Sequence, residues 1–194
     1  MNILYRYFLL FAGVVCLGFS SCKDETAIEK AMEEKGTYFS IKQYILDEWE
    51  SHMGETLAFT KTIRQNGKTD TSYTNVELMN WPEILEPFIA SDISDKKFLG
   101  KYTFSQFDDE MDNTHNLMYM ANGDEMFVQK LLITLDATTI KVRGIYIETH
   151  KKVLWSTTTK KLFYSPVRTI QIQEYSKPLL GSKKEIITQY EVVR

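Results

Sequence analysis

Two cysteines and three histidines are the side chains of this 194-residue chain that most readily act as nucleophiles, general bases or metal ligands. Cys16 and Cys22 both lie near the start of the chain, so the remainder can form neither a disulfide framework nor a cysteine-ligated zinc site. His52, His115 and His150 stand apart from one another among polar or charged neighbours. This placement favours solvated surface positions over a catalytic pair.

An acidic cluster is the other group of side chains that could bind an ion. It consists of Asp108, Asp109, Glu110 and Asp112 with Asn113. Its hard oxygens suit calcium, but the cluster lacks the alternating Asp spacing, central Gly and distal Glu of an EF-hand loop, so a solvated loop is favoured. The sequence also contains no glycine-rich phosphate loop, paired-histidine metal motif or nucleophile elbow. We therefore expect no catalytic residues, no metal site and no cofactor, and predict that the protein is not an enzyme.

The composition indicates one globular domain without a general affinity for nucleic acid. Apolar residues make up 43% of the chain, which excludes a disordered tail or a collagen-like rod. The 23 Lys and Arg residues are outnumbered by 26 Asp and Glu residues, giving a net charge of -3. Phosphate binding needs a surplus of basic side chains gathered on one face, so nucleic acid is not an expected partner.

Residues 1–21 have the features of an export signal. Arg6 supplies the positive start, and an apolar run follows from Tyr7 to Phe19. The run is too short to span a bilayer, which takes about 20 apolar residues. Because no long apolar segment returns later in the sequence, we expect export without a stop-transfer helix.

The boundary sequence Phe19-Ser20-Ser21-Cys22 resembles the bacterial lipobox, although Phe19 replaces the usual Leu. The resemblance implies that the Cys22 thiol is alkylated by a diacylglycerol and that the mature chain begins at Cys22. Val14 and Val15 exclude Cys16 from this role, because small residues are required before the cleaved bond. The alternative is an ordinary secretory signal with a cysteine at its boundary by chance.

Lys23-Asp24-Glu25 resembles the lipoprotein export signal of Bacteroidetes, a Lys and two acidic residues directly after the lipidated Cys. The resemblance implies a lipid-anchored protein on the outer face of the outer membrane, with periplasm-facing anchorage as the alternative. Residues 22–36, rich in Glu and Lys, are expected to form the lipid anchor and a partly helical tether, and residues 37–194 a single domain.

Two helices are predicted in this domain. Ser40 to Gln43 fits a capping box, in which the Ser and Gln side chains satisfy backbone donors at a helix start. Asn80 to Glu83 also resembles a helix cap with Pro82 in the first turn, whereas Pro87 should shorten or kink the second helix. Each helix has one apolar stripe. The stripes are Tyr38, Ile41, Tyr44, Ile45 and Trp49, then Trp81, Ile84, Leu85 and Phe88.

In the rest of the domain, apolar and polar residues alternate as they do in strands. A hairpin with an Asn66-Gly67 type I' turn is predicted from Leu57 to Tyr73. Apolar residues are distributed unevenly between its two halves, which favours a half-exposed edge strand. Short connections then favour an antiparallel meander. We predict an α+β fold: a large curved antiparallel sheet of about 7 to 9 strands, open like a half-barrel, packed on two helices. The meander strands are expected at 102–107, 117–121, 126–135, 139–149, 153–164, 169–175 and 185–193.

Several segments resemble an uncharacterised family of Bacteroidetes lipoproteins across most of residues 36 to 193. They are Tyr38 to Lys42, Asn80 to Ile93, Lys152 to Ser156 and Leu162 to Tyr164. After Asp92-Ile93 this chain has Ser94-Asp95-Lys96, where members often have Asn and Lys. The family has no established activity, so the likeness implies anchoring and domain boundaries only. The expected architecture also resembles the lipoprotein-carrier fold that holds acyl chains, by analogy alone.

Two functions are consistent with these features. The first is a non-enzymatic, membrane-anchored lipoprotein whose sheet and helices enclose or present a binding surface, with a hydrophobic ligand as one possibility. The second is a structural or assembly partner of an outer-membrane protein complex. The aromatic residues Tyr146, Trp155, Tyr164 and Tyr190 are expected mainly to pack the core, whereas exposed ones would mark a binding face.

Overall fold

The computed structural model describes residues 38–52 and 54–193. The predicted signal peptide at 1–21 and the predicted anchor and tether at 22–36 lie outside these residues. The same holds for Cys22 and for Lys23-Asp24-Glu25. The division of the chain into these segments and a domain at 37–194 therefore stays a prediction.

In the described part of the chain, nine strands form one curved, open antiparallel sheet in the order β2-β1-β9-β8-β7-β6-β5-β4-β3. From β3 to β9 each strand pairs with the next along the chain, and the β1–β2 hairpin joins the sheet beside β9. The predicted α+β fold class is confirmed, as is the meander. The strands are β1 Ala58–Gln65, β2 Lys68–Asn75, β3 Tyr102–Asp109, β4 Thr114–Ala121, β5 Val128–Asp136, β6 Val142–Val153, β7 Ser156–Ser165, β8 Thr169–Pro178 and β9 Lys184–Val192.

The first hairpin has the predicted turn. Asn66 and Gly67 connect β1 to β2 with φ angles of 53° and 75°, the left-handed conformation that a type I' turn requires at both positions. The following strand, β2, is an edge of the sheet and is exposed along almost its whole length. The expectation of a half-exposed edge strand is thus confirmed.

Helix α1, Ile41–Ser51, begins with half of the predicted capping box. The Ser40 hydroxyl accepts a hydrogen bond from the Gln43 amide at 3.1 Å, but the Gln43 side chain bonds Asp47 instead of turning back. The second capping group comes from outside the helix. The Asp92 carboxylate accepts from the Lys42 amide at 3.1 Å and from the Ser40 hydroxyl at 2.7 Å.

Helix α2, Trp81–Ile89, has Pro82 in its first turn and ends two residues after Pro87, in agreement with the predicted shortening. The expected side-chain cap is absent at its start, because the Asn80 amide donates to the Glu83 carboxylate rather than bonding the backbone. The Trp81 indole instead fixes this end by donating to the Val76 carbonyl at 2.9 Å.

Both helices pack on one face of the sheet, here called the helix face. Burial alternates along the central strands, so that Ile145 and Ile147 of β6 turn to the helix face while Tyr146 and Glu148 turn to the outer face. Trp49 of α1 stacks on Trp81 of α2 with 3.8 Å between ring centroids. The largest fully buried side chains are Tyr119, Phe88, Ile41, Ile45, Ile93, Leu117, Leu131, Ile133, Leu135, Ile145, Ile147 and Leu162. Among the described residues no helix combines the length and apolar character needed to cross a membrane.

Candidate functional site

The histidines do not form a catalytic centre, but two of them are more buried than expected. The His115 side chain is 12% exposed, and its Nδ1 lies 2.5 Å from Asp108 Oδ1. Its Nε2, like that of His150, is buried without a hydrogen-bond partner among the described residues. The expectation of solvated positions is therefore wrong for both, because both lie within strands beside other side chains rather than in turns. Since no hydroxyl or thiol of the described part bonds His115 Nε2, the Asp108–His115 pair is not extended into a nucleophilic triad.

His52 lies at the end of α1 between two carboxylates. Its Nδ1 is 2.9 Å from Glu55 Oε1 and its Nε2 is 3.2 Å from Glu48 Oε1. The hydrogen bond to Glu55, followed by that to Glu48, raises the pKa of His52 above its usual value, with burial opposing the shift. The histidine therefore ties the helix end to the following turn.

The acidic cluster begins with Asp108 and Asp109 at the end of β3 and continues through the exposed turn before β4, so the prediction of a solvated loop holds for Glu110, Asp112 and Asn113. Asp109 accepts hydrogen bonds from the backbone amides of Met111 and Asp112, while Asp108 is engaged with His115. Within 38–52 and 54–193, no three acidic, histidine or cysteine side chains converge in a way that would hold a metal ion.

The four aromatic residues considered for the core differ in how deeply they are buried. Tyr164 and Tyr190 are buried on the helix face, and burial raises the pKa of Tyr164. Tyr146 is half-buried on the outer face. Trp155, by contrast, is 72% exposed, so the expectation of core packing is wrong for it. The reason is that Trp155 belongs to the two-residue turn between β6 and β7 rather than to a strand.

A groove along α2 is a candidate for a binding site. We define the lower end of the sheet as the end at which β3, β5, β7 and β9 begin. Helix α2 lies on the helix face, with Trp81 against Phe59 of β1 and Phe88 against Tyr164 of β7. Below α2 the helix face is left open, and this open strip is here called the lower groove.

The lower groove consists of two depressions that meet at β8. The first has a volume of about 440 Å³ and lies below the start of α2. Its wall includes Ile84 of α2 and its floor includes Ile63, Ile172 and Tyr190. The second has a volume of about 320 Å³ and lies below the end of α2, where Pro87 faces Leu162, Lys160 and Glu174. Ile172 and Glu174 share one face of β8, about 7 Å apart, so the depressions are neighbours.

The lower groove combines an apolar floor with charged groups of both signs. The ammonium of Lys160 is 3.1 Å from the Glu174 carboxylate, and each of these side chains is about one third exposed. The Lys61 ammonium lies 5.6 Å from the centre of the Tyr190 ring. Glu83 and Glu86 contribute exposed carboxylates from α2. Such a surface suits a molecule that has both an apolar and a polar part.

The space enclosed between the helices and the sheet is nearly filled. Side chains of both helices and of the central strands interdigitate there at essentially zero exposure. A gap of about 30 Å³ remains beside Trp49, Trp81 and Val167. A gap of this size holds about one or two water molecules, whereas binding sites for small molecules measure roughly 300 Å³ or more. In the described residues, the room for a ligand therefore lies in the lower groove and on the outer surface.

Sequence reasoning did not identify the lower-groove residues. In the sequence, Ile170 and Ile172 alternate with polar neighbours, and this pattern places both on one face of β8. The sequence does not show where α2 lies on that face. Because of the position of α2, Ile170 is only 5% exposed, whereas Ile172 remains half-buried at the groove floor.

No family model matches the sequence, and no curated protein does. Among solved structures, the crystal structure of a LolA superfamily protein from Nitrosomonas europaea is similar to this chain. The sequences are 10% identical, the match covers 81% of this chain and 94% of the other, and the TM-score is 0.26. A similarity of this size leaves the function of this chain to be argued from its own residues.

Proposed function

We propose that the protein is a non-enzymatic lipoprotein of the outer membrane that binds an elongated amphipathic molecule in the lower groove. In this proposal the apolar part of the ligand lies on Ile63 and Ile172, which are half-buried, and its polar part meets the charged groups at the rim. The anchoring half rests on the sequence signals at Cys22 and at Lys23-Asp24-Glu25. The binding half rests on the groove.

The observation that carries the binding half is the open strip of half-buried sheet below α2. Six of the described strands and helix α2 contribute to it, and its two depressions are each of a size that accepts a small ligand. The half-exposed apolar residues of the floor contact water. A bound apolar group would remove this surface from water, which is favourable by about 25 cal/mol per Å² of apolar surface. Regular strands hold the floor, so the groove is formed before a ligand arrives.

The filled interior supports one of the two forms of binding surface that the sequence left open. An acyl chain enclosed between helices and sheet, as in the carrier fold, would have to displace fully buried side chains such as Phe88 and Ile45. The lower groove needs no such displacement. The proposal is therefore a presented surface rather than an enclosed cavity. The alternative function, an assembly partner within an outer-membrane complex, stays a prediction.

Titration of the full chain with 11-(dansylamino)undecanoic acid tests the binding half, because this probe joins an apolar chain to polar ends and its fluorescence rises in an apolar site. We expect saturable binding by the wild type. Ile172→Asp, which places a charge on the groove floor, should weaken binding by about tenfold or more, since burial of an unpaired charge costs well over 1.4 kcal/mol.

Gln171→Asp is the matched control, because it adds the same charge to the same strand on the outer face. It should bind the probe like the wild type. Circular dichroism melting of both variants checks that the sheet is retained. Equal loss of probe binding in the two folded variants, or binding by the wild type that never saturates, would contradict the assignment of the groove.

A further inference from the structure

An apolar cap covers the lower end of the sheet at two neighbouring connections, and we define it as Val153, Leu154, Trp155, Leu179 and Leu180. The connections are joined directly, because the Leu179 amide donates to the Trp155 carbonyl at 2.7 Å and Ser156 pairs with Pro178. The exposed fractions are 51% for Val153, 89% for Leu154, 72% for Trp155, 69% for Leu179 and 88% for Leu180. The five exposed apolar residues thus lie on two hydrogen-bonded connections and are not scattered over the domain.

The backbone does not require these residue types. Leu154 and Trp155 form the two-residue turn of the β6–β7 hairpin, where small polar residues and Gly are the usual choice. Neither side chain is buried by the fold, so neither contributes to the core. A large apolar residue at a turn, exposed to water and without a packing role, indicates contact with something outside the domain.

Basic side chains surround the apolar cap. Within 150–157 and 176–185, five lysines are accompanied by a single acidic residue, Glu185. All five are exposed, and within the described part of the chain none of them forms an ion pair. These lysines are Lys151, Lys152, Lys177, Lys183 and Lys184. The acidic side chains Asp124 and Glu125 at this end of the sheet belong to a separate loop, between β4 and β5.

A basic depression adjoins the apolar cap on the outer face. It has a volume of about 760 Å³, and its charged lining consists of Arg64, Lys177, Lys183 and Lys184 with the single carboxylate of Glu185. Its ammonium, guanidinium and hydroxyl groups can donate hydrogen bonds to phosphate oxygens. The depression and the apolar cap share the β8–β9 connection, so one approaching surface can meet both.

We propose that the apolar cap docks on the surface of an anionic phospholipid bilayer. Leu154, Trp155 and the two leucines of the β8–β9 connection enter the boundary between headgroups and acyl chains, where tryptophan is favoured. The lysines and the basic depression contact the headgroup phosphates. A protein partner would match the apolar cap equally well, but the ring of unpaired lysines around it selects an anionic surface, because apolar and basic groups side by side are the pattern of interfacial binding.

The topology of the chain is compatible with this orientation. Tyr38, the first described residue, donates to the Tyr102 carbonyl at the start of β3, which lies at the same lower end. A membrane attachment that precedes Tyr38 in the chain would therefore enter the domain at the end that carries the apolar cap. Docking does not depend on the ligand of the lower groove, which opens on the helix face.

Quenching of Trp155 by brominated lipid tests the docking. The full chain is reconstituted into vesicles of phosphatidylcholine and phosphatidylglycerol whose acyl chains carry bromine. Trp155 is one of three tryptophans. We expect the total emission to fall by about a quarter relative to vesicles without bromine, because a side chain placed 5–10 Å into the interface lies close to the bromines. The emission of Trp155→Phe should be unchanged by bromine, since Trp49 and Trp81 lie against each other in the helix pair.

Two further variants separate the parts of the surface. Leu179→Ser with Leu180→Ser should reduce the quenching at least about twofold, and so should replacement of Lys177, Lys183 and Lys184 by Gln, with the lysine effect lost at high salt. Leu78→Ser is the matched control, because Leu78 is 79% exposed on another part of the domain, and it should leave the quenching unchanged. Quenching that is equal in the wild type and Trp155→Phe overturns the proposal, as does full quenching in the leucine or lysine variants when circular dichroism shows them folded.

Discussion

Val167 occupies a backbone conformation that disfavours its side chain. The turn from Ser165 to Arg168 joins β7 to β8 and is closed by a hydrogen bond from the Arg168 amide to the Ser165 carbonyl. Pro166 is its second residue, and Val167 is its third with a φ of 49°. A positive φ at the third position favours Gly, whereas a β-branched residue is strained there.

We therefore predict that Val167→Gly stabilises the protein. The left-handed conformation costs a non-glycine residue about 1–2 kcal/mol, while glycine loses about 0.5–1 kcal/mol of chain entropy on folding. The free energy of unfolding should rise by about 0.5–1 kcal/mol in urea denaturation. Val142→Gly, in strand β6 with an ordinary φ, should instead lower it. A loss of stability in Val167→Gly would show that the half-buried valine side chain contributes more than the strain costs.

At the residue scale, sequence patterns predicted burial well where apolar and polar residues alternate along a strand. They predicted it poorly where burial depends on contacts with residues of other strands. Tyr164 and Tyr190 follow the alternation and are buried. His115 is polar and was expected in solvent, but it pairs with Asp108 across β3 and β4 and is held among other side chains. A histidine hydrogen-bonded across two strands has no signature in the sequence, because its partner lies seven residues away beyond a turn.

Asp92 joins elements that are far apart in the chain. It follows α2, yet its carboxylate accepts from the Ser40 hydroxyl and the Lys42 amide at the start of α1, and from the Ser94 amide at 2.8 Å. One side chain thus caps the first helix and fixes the segment that leaves the second. The capping box expected from Ser40 and Gln43 described only the local half of this arrangement.

We expect Asp92→Ala to lower the free energy of unfolding by about 2 kcal/mol, because charge-assisted hydrogen bonds to a helix start are lost. Ser40→Ala should cost about 1 kcal/mol. The double variant should lose less than the sum, since the two side chains share a hydrogen bond. Asp95→Ala, which removes a carboxylate that caps only a short turn at Lys97, should have a smaller effect in the same urea denaturation. Strict additivity would mean that the contact between Ser40 and Asp92 contributes nothing.

At the scale of elements, local signals predicted the two helices and nine strands between Ile41 and Val192 to within a few residues. The residue types at Asn66-Gly67 predicted the hairpin turn, and the apolar stripe of α2 predicted that helix. The placement of the helices across the sheet could not be predicted in the same way. It depends on packing between stripes, such as Trp49 against Trp81, and this packing determines where the lower groove opens.

At the scale of the whole molecule, the proposed location at the outer membrane depends on lipidation at Cys22. Metabolic labelling with a radioactive fatty acid should mark the wild type and leave Cys22→Ala unlabelled, because the thiol is the site at which the diacylglycerol would be attached. Cys16→Ala is the matched control, since bulky Val14 and Val15 precede it, and it should label like the wild type. Equal labelling of the wild type and Cys22→Ala would contradict lipidation at this position.

The side of the outer membrane on which the domain resides depends on Lys23-Asp24-Glu25. If this triplet acts as an export signal, its replacement by three alanines should keep the protein in the membrane fraction but protect it from protease added to intact cells. Replacement of Glu33-Glu34-Lys35 provides a matched control, because it removes the same charges from a place away from Cys22. That variant should be digested like the wild type. Equal digestion of both variants would refute the signal, and protection of the wild type itself would favour the periplasm-facing alternative. In that case the lower groove and the apolar cap would face the periplasm, where the inner leaflet of the outer membrane is the bilayer surface within reach.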